Sequence, residues 1–238
     1  MATTQIRFSA ADRREQILEV ATRLFARQGY QGTTTKQISD HARVNEALVF
    51  RHFPSKEELY WAVIERKINS ACPRERLREN LEIGGDDLVI FARLGAEILE
   101  RRANDQTLSR LLLFSALENH RLSHRFFRTY VAEYYDMLAD FIRKRIAEGR
   151  FRDVDPLLAA RGFLGMVIYH SWVQELFGGR RFQDFNVQQV SRTLAKIWLQ
   201  GMLAETKIAP PNRVTKSKNG SSRNQFQRVG HAARIHSH

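Results

Sequence analysis

A chain of 238 residues with 43% apolar residues can bury a substantial core, as one large domain or two modest ones. Its formal charge of +12 is unevenly placed, because seven of the 38 basic residues (Lys207, Arg213, Lys216, Lys218, Arg223, Arg228, Arg234) follow Glu205 with no acid among them, leaving 31 basic against 26 acidic residues elsewhere. The single cysteine, Cys72, excludes an internal disulfide and a cysteine metal cluster. The apolar run Phe163 to Tyr169 is too short to cross a bilayer and no signal-peptide pattern opens the chain, so a cytoplasmic protein without membrane contact is expected.

Ser9 and Asp12 pair as a cap before a predicted helix from Ala11 to Gln28, with Ile17, Ala21, Leu24 and Phe25 at helical spacing and Gly29 as its stop. Thr34 with Gln37 forms a capping box for a short helix from Thr35 to about His41. After a bend at Ala42-Arg43-Val44, Asn45 caps a second short helix from Glu46 to His52, which Pro54 ends. Two helices of about two turns each, joined by about four residues, match a helix-turn-helix. Ser55 with Glu58 reads as a further capping box, opening a fourth helix with Leu59, Tyr60, Val63 and Ile64 on one side.

Beyond Cys72-Pro73 the chain reads as helices parted by short breakers. Arg74 to Leu81 is weakly patterned, and Asp86-Asp87 start a helix through Ile90, Leu94 and Ile98. Leu108, Leu111, Leu112 and Ser115 mark another. Leu122 to Ala147 is the longest, about 39 Å, with Phe127, Tyr130, Tyr134, Leu138 and Phe141 in one stripe. Asp155-Pro156 opens a helix to about Phe177. Asn186 with Gln189 caps the last, which carries Val190, Leu194, Ile197, Trp198 and Leu203. No strand alternation or repeat is visible, and the polar, basic stretch 206–238 is expected to be a disordered tail.

The run from Ala42 to Leu59, ARVNEALVFRHFPSKEEL, resembles the TetR/AcrR family of bacterial transcriptional regulators, whose second motif helix ends in an aromatic, a His and an aromatic before a short linker to Lys. The resemblance covers about residues 8 to 68. It implies an all-α fold of about nine helices: an N-terminal three-helix DNA-binding domain over 1–56, helix four as linker over 56–70, and a helical ligand-binding and dimerisation domain over 71–205.

Within the motif Thr33 to His52, the resemblance places Thr35, His52 and Lys56 at phosphate-contacting positions and Lys36, Asn45, Glu46 and Ala47 at base-facing ones. A carboxylate such as Glu46 can accept from cytosine N4, and Ala47 can touch a thymine methyl. Phe50 stands where a tyrosine is usual, which removes a phosphate-bonding hydroxyl that Arg51 is expected to replace. The implied partners are a double-stranded operator, a second copy of the chain joined through the last two helices, and a small lipophilic effector. Small residues Ala159, Gly162 and Gly165 on the penultimate helix suit that pairing.

The implied ligand pocket draws on Leu94, Leu112, Phe127, Tyr130, Tyr134, Met166 and Trp172, with Glu118, His170 and the two tyrosines as polar anchors. A cationic or planar ligand suits aromatics plus a carboxylate; an uncharged or acyl ligand suits them if Glu118 lies outside. Such stripes also commonly form plain core. The alternative reading is a DNA-bound nucleoid or scaffold factor without inducer. No cofactor or metal site is expected, and the absence of GxSxG, Walker, GxGxxG and HExxH patterns argues against an enzyme.

Overall fold

The computed structural model describes residues 9–118 and 121–204. The expected basic tail over 206–238 lies outside them. Every regular element among the described residues is helical: α1 (Ala10–Gln28), α2 (Thr35–Ala42), α3 (Glu46–His52), α4 (Lys56–Ala71), α5 (Pro73–Ile83), α6 (Asp87–Asn104), α7 (Thr107–Leu117), α8 (Arg121–Phe126), α9 (Ala132–Ala147), α10 (Pro156–Glu175) and α11 (Val187–Met202). A π-helical turn, Phe127–Val131, joins α8 to α9.

The first four helices close a small core that Leu111 and Leu122 complete. Ser9 and Thr34 each make reciprocal caps with the residue three places on, satisfying amide groups that a helix start leaves orphaned. Arg43 takes the left-handed conformation, φ 52°, and turns the chain between α2 and α3. Ile38, Ala42, Val49 and Phe53 then meet Ile17, Phe25, Leu59 and Tyr60, all buried. Ser55 caps α4 by accepting from the Glu58 amide. The return half of the expected box is replaced, because Glu58 faces Arg125 at 3.5 Å instead.

The second core centres on Phe91 of α6, whose ring lies 4.4 Å from that of Trp198 of α11 and 4.9 Å, edge-on, from Phe163 of α10. Offset and edge-on aromatic pairs of this kind add to the gain from area burial. The weakly patterned segment after Pro73 is a full helix. It is held by a polar network in which Asn80 donates to Glu97 Oε2 at 2.6 Å and accepts from Arg93 through its side-chain and backbone oxygens.

The π-turn changes the expected stripe. One extra residue in a turn advances the helix face by about 100°, so Leu122 and Phe126 point inward ahead of Tyr130, Tyr134 and Leu138, while Phe127 is turned out and 41% exposed.

α7 stands between the two cores. Leu111 is fully buried in the first. Tyr60 of α4 donates its hydroxyl to the Leu111 carbonyl at 2.6 Å, Arg110 Nε donates to the Ala26 carbonyl at 2.6 Å, and the Gln31 amide donates to Glu118 Oε2 at 3.2 Å. Gly29, at φ +75°, lets α1 end against this helix, since a Cβ there would lie 2.4 Å from Glu118 Oε1.

Candidate DNA interface and internal cavity

α3 presents one face to its own core and the other to solvent. Val49 is 1% exposed and anchors the inner face, whereas Asn45, Ala47 and Arg51 are exposed and Phe50 is 44% exposed. Asn45 spends its side-chain oxygen on the Leu48 amide at 2.7 Å, fixing the start of the helix. Glu46 is half-buried and accepts from Thr35 Oγ1 at 2.5 Å, a bond that ties α2 to α3 and occupies both side chains. Lys36 is exposed and pairs with Asp40 at 2.7 Å, which raises its pKa. Exposed i,i+4 pairs contribute little, so this ammonium is free to exchange Asp40 for a phosphate. His52 is half-buried against Phe53. Lys56 lies over the Tyr30 ring at 4.3 Å, and burial lowers its pKa. Thr35, Lys36, Asn45, Glu46 and Ala47 therefore lie along the α2 start and the α3 start, while Lys56 begins α4.

A cavity of about 180 Å³ lies between the end of α4, α6, α7, the π-turn, α9 and α10. Leu112, Tyr130 and Tyr134 wall it together with Ile68, Leu108, Phe126 and Ile168. It shares Ile68, Pro73, Arg101, Arg102 and Leu108 with an adjoining cleft of about 300 Å³. The other residues expected at a pocket lie elsewhere. Leu94 sits in the second core. Met166 and His170 line an open groove beside Phe185 and Leu194, and burial lowers the His170 pKa. Trp172 is half-buried with its indole nitrogen lacking a hydrogen-bond partner. Phe127 lies on the surface, 5.8 Å beneath Arg161. Glu118 belongs to the junction of α7 with the first core, bonded to the Gln31 amide.

Beside the expected hydroxyls of Tyr130 and Tyr134, the charge in the cavity wall comes from two residues that sequence reasoning passed over. Arg102 donates Nη1 to Ser109 Oγ at 2.6 Å, and burial, reinforced by neighbouring Arg101, pushes its pKa down to about 10. The buried Nη1 of Arg101 makes no hydrogen bond and lies 3.5 Å from Glu97 Oε1, within ion-pair distance. A signal was present, since 101 and 102 continue the Leu94–Ile98 spacing of α6 toward the interior.

On the far side, α10 and α11 leave Leu158 (64% exposed), Tyr169 (63%) and Ile197 (55%) in the open beside exposed Gly162 and Gly165.

A family model described as bacterial regulatory proteins, tetR family, matches residues 17–63, and a second, the AefR-like transcriptional repressor C-terminal domain, matches 91–200. The chain belongs to the TetR family. Its TetR-family relatives include the transcriptional repressor NicS of Pseudomonas putida, 33% identical over 89 residues, 32% of this chain and 42% of that protein. The regulator YvkB of Bacillus subtilis is 22% identical over 80% of this chain and 97% of its own. The chain thus spans under half of NicS but nearly all of YvkB. Among solved structures, FadR from Bacillus subtilis in complex with stearoyl-CoA superposes with a TM-score of 0.61 at 18% identity, covering 79% of this chain and 98% of that one. This TetR-family chain is accordingly a DNA-binding transcription regulator with a helical C-terminal region, and no described helix is long and apolar enough to cross a membrane.

Proposed function

We propose that this protein is an effector-responsive repressor that binds a near-palindromic operator as a homodimer and releases it when a small lipophilic molecule enters the cavity behind α7. The observation that carries this reading is the double role of α7: Leu108 and Leu112 wall the cavity, while Leu111 and Arg110 hold the core that carries α3. A ligand that moves Leu108 and Leu112 shifts the helix to which α1 and α4 are bonded, and so changes the pose of α3. The energetic requirement is only differential: the ligand must bind the non-operator state better.

In this reading 1–56 is the DNA-binding head, 56–70 the link and 71–205 the effector and dimer region. Ala47, Phe50 and Arg51 face the major groove, Asn45 sets the helix start there, and Glu46 and Thr35 act as a pair rather than singly. His52 and Lys56 approach phosphates, and Lys36, released from Asp40, reaches a guanine edge or a phosphate. The exposed Leu158, Tyr169 and Ile197 with Gly162 and Gly165 become the seam of a four-helix dimer interface. Fluorescence anisotropy on operator DNA, with and without lipophilic ligand, tests it. Weaker operator binding in the presence of bound ligand is expected; bound ligand with unchanged operator affinity sinks the effector part of the reading.

A further inference from the structure

We propose that the ligand is an anionic amphiphile, with its apolar chain among Leu108, Leu112, Phe126, Tyr134 and Ile168 and its carboxylate or phosphate on Arg101 and Arg102. This rests on the reading of that cavity as the effector site. It deepens that reading by assigning the charge of the ligand.

Burying an ion is costly unless an opposite charge or a full set of hydrogen bonds offsets the lost hydration. Arg102 has one neutral partner, Ser109, and no carboxylate within bonding distance among the described residues. The neighbouring guanidinium of Arg101 repels it. The acids close by are committed elsewhere. Glu97 accepts from Asn80 at 2.6 Å and lies 3.8 Å from Arg76 as well as 3.5 Å from Arg101. Asp105 is held by Lys67 at 2.7 Å and by the Thr107 amide at 2.9 Å. Glu118 belongs to the α7 junction and does not offset the charge.

The cavity thus brings together Arg102, which has no acidic partner among the described residues, and Arg101, whose buried Nη1 makes no hydrogen bond and faces only Glu97 at 3.5 Å, with a wall otherwise made of aliphatic and aromatic side chains. A planar guanidinium pair is suited to bidentate capture of a carboxylate or phosphate. Tyr134 lines the same space, and burial raises its pKa, so the phenol remains protonated and can donate to the same head group. The adjoining cleft, which shares both arginines, gives a larger head group room outside the cavity. The π-turn places Tyr130 and Val131 in this wall, and such turns recur at functional sites.

The test is calorimetric titration of the full chain with decanoate, decyl phosphate, decanol and decyltrimethylammonium. The wild type is expected to bind one or both anions at least about tenfold more tightly than decanol, and the cation least of all. Which anion wins separates a carboxylate head from a phosphate head. In Arg102→Met the anion affinity falls at least about tenfold while decanol binding is unchanged or improved, and Arg102→Lys keeps most of the preference for anions. Decanol binding as tightly as either anion, an Arg102→Met variant that keeps anion affinity, or no binding of any probe overturns the proposal, and the wild-type panel decides even if the variant does not fold. Arg102-dependent anion binding that leaves operator affinity unchanged supports the ligand class and rejects the effector reading. Operator release by decanol in preference to the anions does the reverse.

Discussion

Removing one oxygen atom tests the link between α4 and α7. Tyr60 is fully buried, with its ring edge-on to Phe25 at 4.8 Å and to Tyr30 at 5.3 Å. Burial raises the pKa of its hydroxyl, which stays protonated and donates to the Leu111 carbonyl at 2.6 Å. Tyr60→Phe keeps the ring packing and deletes that bond. The Leu111 carbonyl retains its helical partner within α7, so the acceptor is not orphaned and the net loss is about 1 kcal/mol. For a chain of this size that corresponds to a fall in melting temperature of roughly 2–4 °C. Operator affinity without ligand should be nearly unchanged, because α3 is untouched. Ligand-induced weakening of operator binding should shrink several-fold, since one of the bonds carrying the motion of α7 to α4 is gone. Calorimetric melting and anisotropy titrations measure the two effects. An unshifted melting temperature would refute the energetic argument, and an undiminished ligand response would refute the path.

Three further outcomes follow from the same geometry. Asp87 is buried and bonded to Arg145 at 2.9 Å and Arg150 at 2.7 Å; Asp87→Asn should destabilise the chain by about 2–3 kcal/mol in denaturant titration, and a loss below about 0.5 kcal/mol contradicts the pairing. Gly29→Ala forces a left-handed alanine against Glu118 and Phe114; a cost of about 1–3 kcal/mol is expected, and a neutral or stabilising change would show that the α1–α7 contact gives way freely. Burial holds the His170 pKa below its ordinary 6.5, so the unfolded chain binds more protons in that window and stability from this group rises with pH until about 6.5, then levels. The melting temperature of wild type relative to His170→Gln should therefore climb between about pH 5 and pH 7; a flat or falling difference contradicts the assignment.

What could be read from the sequence is what depends on near neighbours along the chain. Ser9, Thr34, Asn45, Asp155 and Asn186 all cap the helices they were expected to cap, because a capping bond spans two or three residues. The helix-turn-helix is similarly local, and α3 ends at His52 as expected from Pro54. The π-turn was not legible, since a single inserted residue leaves the apolar spacing on either side intact while rotating Phe127 out of the stripe. Helix α5 lacked a strong pattern because its support comes from Arg93 and Glu97 on another helix. Asp87 looked like a helix-start charge; its burial depends on Arg145 and Arg150, about sixty residues away. Glu118 was expected as an anchor of the pocket that the family resemblance implies, but it closes onto Gln31, and the cavity takes its charge from Arg101 and Arg102 instead. Chain order carries the period of a helix but not the identity of the helix it meets.

Whether α3 reads operator DNA from two copies of the chain is settled by genome-wide footprinting of DNA protected by the wild type and by Ala47→Asp. Ala47 is exposed on α3 and makes no contribution to the buried core, so a carboxylate there leaves folding intact and meets the negative groove. A small set of near-palindromic sites with half-site centres about 34 Å apart is expected in wild type and lost in the variant. Protection that ignores sequence, or that survives Ala47→Asp at the same sites, would contradict it.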